Sequence, residues 1–443
     1  MVQSHEIIIL GGGAAGLTAA SILSDKYPNI LILESFSRLG GTHRSIDANG
    51  FTFDIGSFLF YPHNILFQRH PRLLDTTVPA TCQQERIRPD GKVRTYPFAL
   101  QELREISNWQ KTYFFLSLLK GKLATGPCKS LEQACHRMLG RAFYEYSGLS
   151  NYVARFYGPD LPDSLISPVF VDKRLQFLKQ RTRLDAALKM IWRASFAHAH
   201  RRKVTPLGHG VVGRVRGEAG FPEMYAPVAE DLAQKGVTIQ LDAPLESICK
   251  TGNRFELVSK DGVFSSAQIV STVPIELLME LIEGTGSPRL PSSPLLTLCV
   301  SFAGSRGFDG GILFNFHASG RWKRLTMHSD FYGVRQDREY FSVEVPVSAA
   351  HPLSDAEAFA DFGKSVRAHG LFKGDLRLEE SVLTPLAYPR YEIGYEEPLA
   401  NMLAKIDEFG IITVGRQGRF DYLPTSGAIG MQVTSLLQPM LTL

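Results

Sequence analysis

A glycine-rich turn near the N-terminus restricts the possible folds of this chain more strongly than any other feature. Residues 7–10 form a run of β-favouring apolar side chains, residues 14–23 favour a helix, and a second apolar run follows at residues 30–33. The glycines at positions 11, 13 and 16, in the turn and at the start of the helix, fit the spacing G-x-G-x-x-G. A strand, a glycine turn, a helix and a second strand in this order predict a βαβ unit of a parallel sheet.

Each glycine of this motif has its own expected role in binding a dinucleotide. Gly11 allows the tight turn, Gly13 leaves room for a pyrophosphate, and Gly16 lets the helix pack closely on the strand. The helix N-terminus then offers free N–H groups and the positive end of its dipole to the anion. Glu34, at the end of the second apolar run, can accept hydrogen bonds from ribose hydroxyls and would repel a 2′-phosphate. The combination predicts a dinucleotide site.

The segment that follows Glu34 distinguishes flavin from nicotinamide binding. Residues 34–45 read Glu-Ser-Phe-Ser-Arg-Leu-Gly-Gly-Thr-His-Arg-Ser and resemble the extended signature of the FAD proteins of the glutathione reductase type. In that group an arginine and two glycines follow the acidic residue at this spacing, whereas Arg44 matches no motif position. Residues 51–57 are similar to the "fDxG" element of the same group, whose glycine approaches the flavin. The resemblance implies tightly bound, noncovalent FAD.

The C-terminal region carries a second resemblance. Residues 411–422 and 427–431 resemble the closing strand, turn and helix of FAD-dependent amine oxidases, protoporphyrinogen oxidases and UDP-galactopyranose mutases. In those proteins the last helix directs its N-terminus toward the flavin pyrimidine, where negative charge develops on reduction. Together the two resemblances imply that FAD is held by Gly11, Gly13, Ala14, Ala15, Gly16, Glu34, Arg38, Gly40, Gly41, Thr42, Gly56, Ser57, Gly415, Arg416 and Ile429.

The pattern along the chain predicts an α/β fold in which a Rossmann-like FAD-binding domain is assembled from separate segments. We expect its parts at residues 1–75, 206–290 and 396–443. Long amphipathic patterns predict a mainly helical substrate or cap lobe at residues 76–205, and β-rich segments predict an antiparallel substrate sheet at residues 291–395.

Composition excludes several classes of protein. The formal net charge of +4 over 443 residues is too small to imply a nucleic-acid partner. Five cysteines are widely spaced and include no CxxC pair, so neither a disulfide framework nor a zinc site is predicted. We find no secretory signal and no apolar stretch near the ~18 residues of a membrane span, and therefore expect a cytoplasmic protein without integral membrane association.

Two reaction classes remain open for such a flavoprotein. The first is an oxidoreductase that oxidises a C–N or C–C bond of a small polar, anionic or sugar-like substrate by hydride transfer to FAD. The alternative is a nucleotide-sugar mutase that works with reduced FAD, because residues 56–61, Tyr388-Pro389 and residues 416–422 resemble mutase segments. Phe58 replaces the mutase histidine and Pro424-Thr425 replace acidic residues, which favours the oxidoreductase. A flavin-fold protein without catalysis is a third, minor possibility.

Candidate catalytic residues are suggested by these resemblances and by one cluster of polar side chains. They are Tyr61, Arg324, Tyr388 and Tyr422. Arg324 belongs to the segment 322–332, which either binds an anionic or polyhydroxylated substrate or forms a solvated sheet edge. The segment 179–216 holds ten basic residues, which either steer an acidic partner or form a solvated helix face. His198 and His200 within it do not face each other on a helix, so no metal site is predicted.

Overall fold

The βαβ unit predicted from the glycine turn is present in the computed structural model of the chain, which describes residues 2–56, 59–61, 64–98, 102–158, 161–179, 211–286, 288–348 and 351–442. The strands are β1 Val2–Leu10, β2 Ile30–Leu33, β3 Ser45–Ala48, β4 Phe51–Asp54, β5 Thr77–Cys82, β6 Gln84–Ile87, β7 Val93–Thr95, β8 Val211–Arg216, β9 Val237–Gln240, β10 Leu245–Thr251, β11 Arg254–Ser259, β12 Gly262–Ser271, β13 Ser292–Arg306, β14 Ile312–Asn315, β15 Arg324–Met327, β16 Glu339–Pro346, β17 Phe372–Pro389 and β18 Ile411–Thr413.

Helices connect these strands and form most of the region between β7 and β8. The α-helices are α1 Ala14–Leu23, α2 Ile65–Arg69, α3 Glu102–Glu105, α4 Asn108–Leu123, α5 Leu131–Leu139, α6 Arg141–Tyr146, α7 Leu149–Tyr157, α8 Val169–Arg174, α9 Phe221–Gln234, α10 Ile275–Glu283, α11 Ser329–Tyr332, α12 Asp355–Ala368, α13 Glu396–Phe409, α14 Gly415–Gly418 and α15 Ser426–Thr442. Short 3₁₀ helices lie at Pro71–Leu74, Asp163–Leu165 and Gln176–Lys179. None of the helices in the described ranges is long and apolar enough to cross a membrane.

The first sheet contains the glycine turn. Its strand order is β10-β11-β12-β1-β2-β9, with β18 beside β12. The strands β12, β1, β2 and β9 run parallel, as expected where helices provide the connections. The central strands β1 and β2 are buried over residues 7–10 and 30–33, and α1 is buried along its whole length. The later strands β9 to β12 and β18 thus complete the sheet that β1 and β2 begin.

A second sheet has the strand order β17-β13-β16-β15-β14-β6-β7. Its pairings are antiparallel except for β14 with β6. Residues 77–95, expected within the mainly helical lobe, form β5, β6 and β7 and are not helical. The strands β6 and β7 belong to this sheet, whereas β5 pairs with β8 in a separate two-stranded sheet. Both β5 and β6 pair with a strand more than 100 residues away, and a local amphipathic pattern does not reveal such a contact.

The helical region begins after β7 and packs mainly around aromatic side chains. Its inner residues join a large apolar cluster that also includes side chains of the second sheet, among them Tyr152, Phe156, Phe314 and Phe316. The amphipathic pattern at residues 100–119 corresponds to α3 and α4. The similar pattern at residues 184–192 lies outside the described residues.

Candidate active site

The glycine turn and the loop after β2 lie against each other at the N-terminus of α1. Gly13 and Gly40 form a parallel bridge, and Gly40 N donates a 3.0 Å hydrogen bond to Gly12 O. Gly41 has φ +59°, and a Cβ there would lie 3.0 Å from Gly13 Cα. No side chain caps α1, so the N–H groups of its first turn remain available to an external acceptor. The backbone therefore forms a cradle suited to a phosphate group.

The other two glycines of the turn are required by close packing within the protein. Gly11 has φ +98°, and a Cβ there would lie 2.4 Å from Thr272 Oγ1. A Cβ on Gly16 would lie 1.9 Å from Gly11 O, which no rearrangement of a side chain would relieve. These distances support the packing role expected for Gly16 and the turn role expected for Gly11.

Glu34 is buried behind the cradle. Its Oε2 accepts a 2.6 Å hydrogen bond from Gly12 N, and its Oε1 accepts a 2.9 Å bond from Phe36 N. The carboxylate thus links the glycine turn to the loop after β2. Because each carboxylate oxygen has two acceptor positions, Glu34 retains capacity for ribose hydroxyls.

Two arginines flank the exposed side of this loop. Arg38 and Arg44 line a surface pocket together with Phe36 and Gly41. The Arg44 guanidinium carbon lies 5.4 Å from the centroid of the Phe36 ring. Burial and the neighbouring Arg38 lower the pKa of Arg44. Two cations held side by side beside a backbone cradle favour an anionic ligand. Thr42 lies exposed in the same loop.

The segment after β4 is fixed by a buried ion pair. Arg216 Nε donates a 2.6 Å hydrogen bond to Asp54 Oδ1, which also accepts one of 2.9 Å from Ser45 Oγ. Gly56 follows this anchored carboxylate and is buried. Ser57 and Phe58 lie outside the described residues. Arg216 is therefore buried in an ion pair with Asp54, and it neither lies on a solvated helix face nor is free to steer an acidic partner.

The C-terminal elements reach the same cradle. Gly415 has φ +82°, and a Cβ there would lie 2.6 Å from Ala15 Cβ in the first turn of α1. Gly415 N donates a 2.9 Å bond to Gln432 Oε1, which ties α14 to α15. Ile429 of α15 packs on the same apolar cluster as Ala15. Thr425 Oγ1 accepts a 3.1 Å bond from Ala428 N, so the residue in place of a mutase acid caps the last helix.

These observations fit FAD. Residues 11–44 bring together an uncapped ten-residue helix, glycine backbones that a Cβ would crowd, an acidic residue and two arginines, and Gly415 from the other end of the chain packs against the same helix. Such a donor set suits a ribose and a pyrophosphate.

A second group of polar residues surrounds Tyr388 at the end of β17. Lys323 Nζ donates a 2.8 Å hydrogen bond to Tyr388 Oη, and Tyr388 Oη donates one of 3.0 Å to Glu344 Oε2. Lys323 Nζ is also 2.5 Å from Glu344 Oε2, while Arg324 Nε lies 2.9 Å from Glu344 Oε1. One carboxylate therefore faces two cations. We use the name cationic pocket for the cluster of side chains formed by Arg174, Lys323, Arg324, Glu344, Tyr388, Arg416 and Tyr422.

Two further arginines complete the cationic pocket. The Arg174 guanidinium carbon lies 4.2 Å from the Tyr388 ring centroid and 3.0 Å from that of Tyr422. The guanidinium carbon of Arg416 lies 5.4 Å and 5.2 Å from the same two centroids. Within the described ranges neither arginine forms an ion pair with a carboxylate, and Arg416 Nε is buried without a hydrogen-bond partner. An unsatisfied buried donor here points to an external acceptor.

Burial and charge shift the pKa values in the cationic pocket. Burial lowers the pKa of Lys323 to about 7, with Arg324 acting in the same direction and Glu344 opposing. Burial alone would raise the pKa of Glu344, but Arg324 and Lys323 overcome it and lower the pKa to about 2. Burial raises the pKa of the Tyr388 hydroxyl. The carboxylate is therefore ionised, and the ammonium group titrates near neutrality.

Arg416 connects the pocket to the cradle. It directly follows Gly415, which touches α1, while its guanidinium reaches Tyr388 and Tyr422. Burial and the charge of Arg416 also lower the pKa of His43, in the loop after Gly41, to about 4. Arg416 is thus the residue at which the cationic pocket meets the cradle.

The structure brings Arg324, Tyr388 and Tyr422 together as candidates of one pocket. Tyr61 lies at β8, where a Cβ on Gly213 would be 3.6 Å from its ring, and burial and the neighbouring Cys82 raise its pKa. Arg174 and Glu344 were missed, because single charged residues in α8 and β16 carry no motif. Lys323 was named only as part of the segment 322–332.

The structure decides between the two interpretations of residues 322–332 and describes only part of residues 179–216. The solvated-edge interpretation of residues 322–332 is wrong, because β15 lies inside the second sheet and Lys323 is 2% exposed. In the segment 179–216, Arg214 Nε donates to Thr77 Oγ1 at 2.7 Å, and Arg216 pairs with Asp54. The side chains from 179 to 210, including His198 and His200, lie outside the described residues.

Comparison with known proteins agrees with this geometry. The model of the family "Flavin containing amine oxidoreductase" matches residues 14–294, more than half of the chain. A 4,4'-diapophytoene desaturase from Methylomonas sp is 41% identical over 56 residues, which are 13% of this chain and 11% of that protein. A chloroplastic protoporphyrinogen oxidase from Nicotiana tabacum is 25% identical over 162 residues, 32% of this chain and 27% of that protein. The chain thus matches only a small part of these relatives' length.

A solved structure of reduced UDP-galactopyranose mutase shares the fold. It has a TM-score of 0.78 and 20% identity, with coverage of 99% of this chain and 96% of that chain. The fold and the cradle therefore define a flavoenzyme with FAD as its cofactor. The chain belongs to the flavin containing amine oxidoreductase family.

Proposed function

We propose that the protein is an FAD-dependent oxidoreductase that oxidises a C–N or C–C bond of a small anionic substrate bound in the cationic pocket. The observation that carries the proposal is the charge balance around Tyr388 and Tyr422. Glu344 pairs with Lys323 and Arg324, whereas Arg174 and Arg416 lie at the two tyrosine rings without a carboxylate partner among the described residues. A pocket with this excess of positive charge favours an anionic ligand and disfavours a cationic amine.

The residues of the pocket would divide the work as follows. Arg174 and Arg416, which lack carboxylate partners in the described ranges, would hold the anionic group of the substrate by charge-assisted hydrogen bonds. Tyr388 and Tyr422, which pack edge to face with ring centroids 6.3 Å apart, would offer an aromatic surface to its apolar part. The fixed positions of these groups would orient the substrate before reaction.

Lys323 Nζ would hold or accept a proton. Its pKa of about 7 leaves part of the molecules neutral at physiological pH, and a general base is most effective under that condition. Arg324 stays paired with Glu344 and keeps the carboxylate in place. We propose Arg324, Tyr388 and Tyr422 as contacts of the substrate, whereas Tyr61, which lies at β8, is a separate candidate.

We propose in addition which residues bind the cofactor. The cradle of Gly13, Gly40 and Gly41 with the first turn of α1 would bind the pyrophosphate, and Glu34 would bind the ribose. When bound, FAD supplies the capacity to accept a hydride. The domain boundaries given above, with the helical segment beginning after β7, describe the lobes between which the substrate would lie.

Charge preference is tested by titrating the oxidised holoenzyme with benzoate and with benzylamine and recording the flavin difference spectrum. We expect benzoate to bind and benzylamine not to bind. The variant Arg174→Gln should weaken benzoate about 10-fold to 100-fold, the range for a hydrogen bond to a charged group. The matched control Arg377→Gln, on an exposed strand position, should change nothing. Equal binding of both probes, or no effect of Arg174→Gln, would contradict the proposal.

A nucleotide-sugar mutase is the second candidate. It is supported by the proximity of Arg174, Arg416, Tyr388 and Tyr422, because two arginines beside two aromatic rings also suit a diphosphate and a base. The two candidates differ in their use of the flavin. Isomerisation of a nucleotide sugar by prereduced protein, with no net electron transfer, would establish the mutase.

A further inference from the structure

The outer side of α4 exposes a row of large apolar side chains. Spacings of three and four residues place them along one side of the helix. Trp109 and Leu123, at its two ends, are 78% and 79% exposed. We call this set the α4 face: Trp109, Tyr113, Leu116, Leu119 and Leu123.

The inner side of α4 is apolar as well. Phe114 and Leu118 are buried there. The helix is held tightly, because a Cβ on Gly121 would lie 2.2 Å from His136 O and one on Gly140 would lie 2.6 Å from Leu118 N. Apolar side chains thus occupy two opposite sides of α4, and a helix of this kind is normally covered on both sides. The α4 face therefore has the composition of a covered surface, although no residue in the described part of the chain covers it.

The charges of α4 indicate what covers it. The helix carries Lys111, Lys120 and Lys122 and no acidic residue. Lys111 Nζ contacts Asn108 Oδ1 at 3.3 Å, and no ion pair among the described residues includes any of the three lysines. Lys120 lies within the α4 face, one turn after Leu116. Aromatic and leucine side chains combined with unpaired lysines are typical of helices that lie in a membrane interface.

We propose that the α4 face docks the protein on an anionic lipid surface, with the helix axis in the plane of the interface. The sixteen residues of α4 span about 24 Å, which is enough to lie on a bilayer and too little to cross its hydrocarbon core of about 30 Å. A second copy of the chain fits less well, because a twofold contact through this face would cover Lys120 of both copies and α4 offers no carboxylate to pair with them. Docking of this face does not depend on the proposed reaction.

Vesicle binding by the full-length holoenzyme tests the proposal. We expect sedimentation with vesicles of phosphatidylcholine and phosphatidylglycerol, weaker sedimentation with phosphatidylcholine alone, and loss of binding at high salt. Lys120→Glu/Lys122→Glu should weaken the partition coefficient about tenfold or more. The matched control Lys260→Glu/Lys373→Glu should bind like the wild type, and all variants should retain the same flavin spectrum.

Tryptophan fluorescence locates the contact. The emission of Trp109, obtained as wild type minus Trp109→Phe, should shift to shorter wavelength with the anionic vesicles. Trp109→Ala/Leu116→Ser should abolish sedimentation, whereas the control Val334→Ser, on an exposed apolar side chain elsewhere, should not. Three results would overturn the proposal: no binding to either vesicle, binding that the α4 variants leave unchanged, or a dimer in solution that the same variants dissociate.

Discussion

Lys323 Nζ lies 2.8 Å from Tyr388 Oη, and both atoms contact Glu344 Oε2. The lysine is thus held between a phenol and a carboxylate in the interior of the second sheet, with Arg324 and Arg174 as the other charges nearby. Burial and these cations lower its pKa to about 7, although Glu344 opposes them. The pair places a titrating proton at the wall of the proposed substrate pocket.

Binding of an anionic ligand should therefore depend on pH. Below about pH 7 Lys323 is charged and attracts the anion, and the attraction is lost as the pH rises through about 7. Benzoate affinity, measured by flavin difference spectra, should fall across this range. Lys323→Met should remove the dependence, while Tyr388→Phe, which keeps the amine, should retain it. A pH-independent wild type would rule out the titration of Lys323 in this range.

Glu344→Gln should strongly destabilise the fold, because it leaves Lys323 and Arg324 buried without their carboxylate. We expect a loss of about 3–5 kcal/mol in the free energy of unfolding by urea. The control Glu283→Gln, which breaks the exposed pair with Lys405, should lose at most ~1 kcal/mol.

The same glutamate should shape acid stability. Its folded pKa of about 2 lies below the ordinary value of 4.5, so its contribution is complete above pH 4.5 and is lost as the pH falls through about 2. Glu344→Gln should flatten this part of the stability profile. An unchanged profile would show that the pair does not persist in solution.

Gly13→Ala should fold normally and lose FAD. Gly13 has φ −76°, which alanine adopts freely, and the added Cβ would meet protein atoms no closer than 3.5 Å. Only a bound pyrophosphate would be displaced. We expect FAD affinity to fall at least about tenfold in titrations of the apoprotein. Gly363→Ala in α12 is the control, and full retention of FAD by Gly13→Ala would refute the cradle.

Glu34→Gln should weaken FAD by about 1–3 kcal/mol, because the carboxylate loses charge-assisted hydrogen bonds. The amide keeps one acceptor, so either Gly12 N or Phe36 N loses its partner, and the melting temperature of the apoprotein should also fall. The comparison of apoprotein melting with FAD affinity separates ligand binding from loop support. Equal FAD affinity in both proteins would contradict a role for Glu34 at the ribose.

The local order of residues predicted the βαβ unit at the cradle well. The bounds expected for α1 and β2 agree with the structure, because alternation of apolar runs, glycines and helix formers is a short-range signal. Gly415 was expected through a resemblance at the other end of the chain, and its contact with Ala15 confirms that both ends meet.

The cationic pocket was only partly predictable. Arg174, Lys323, Glu344 and Tyr388 come from four elements, and their proximity depends on the order of strands in the second sheet. The sequence around the short strand β6 predicted a mainly helical lobe, because the pairing of β6 with β14 is visible only in three dimensions. No spacing along the chain encodes such long-range contacts.

Anaerobic mixing of the oxidised holoenzyme with candidate substrates tests the central claim most directly. The panel contains anionic C–H donors, cationic amines and nucleotide sugars, and the flavin absorbance is followed by stopped flow. We predict full two-electron bleaching by an anionic donor, with the rate reduced in Arg174→Gln and unchanged in Arg377→Gln. Bleaching by cationic amines alone, or turnover of a nucleotide sugar only after prior reduction of the flavin, would contradict the account.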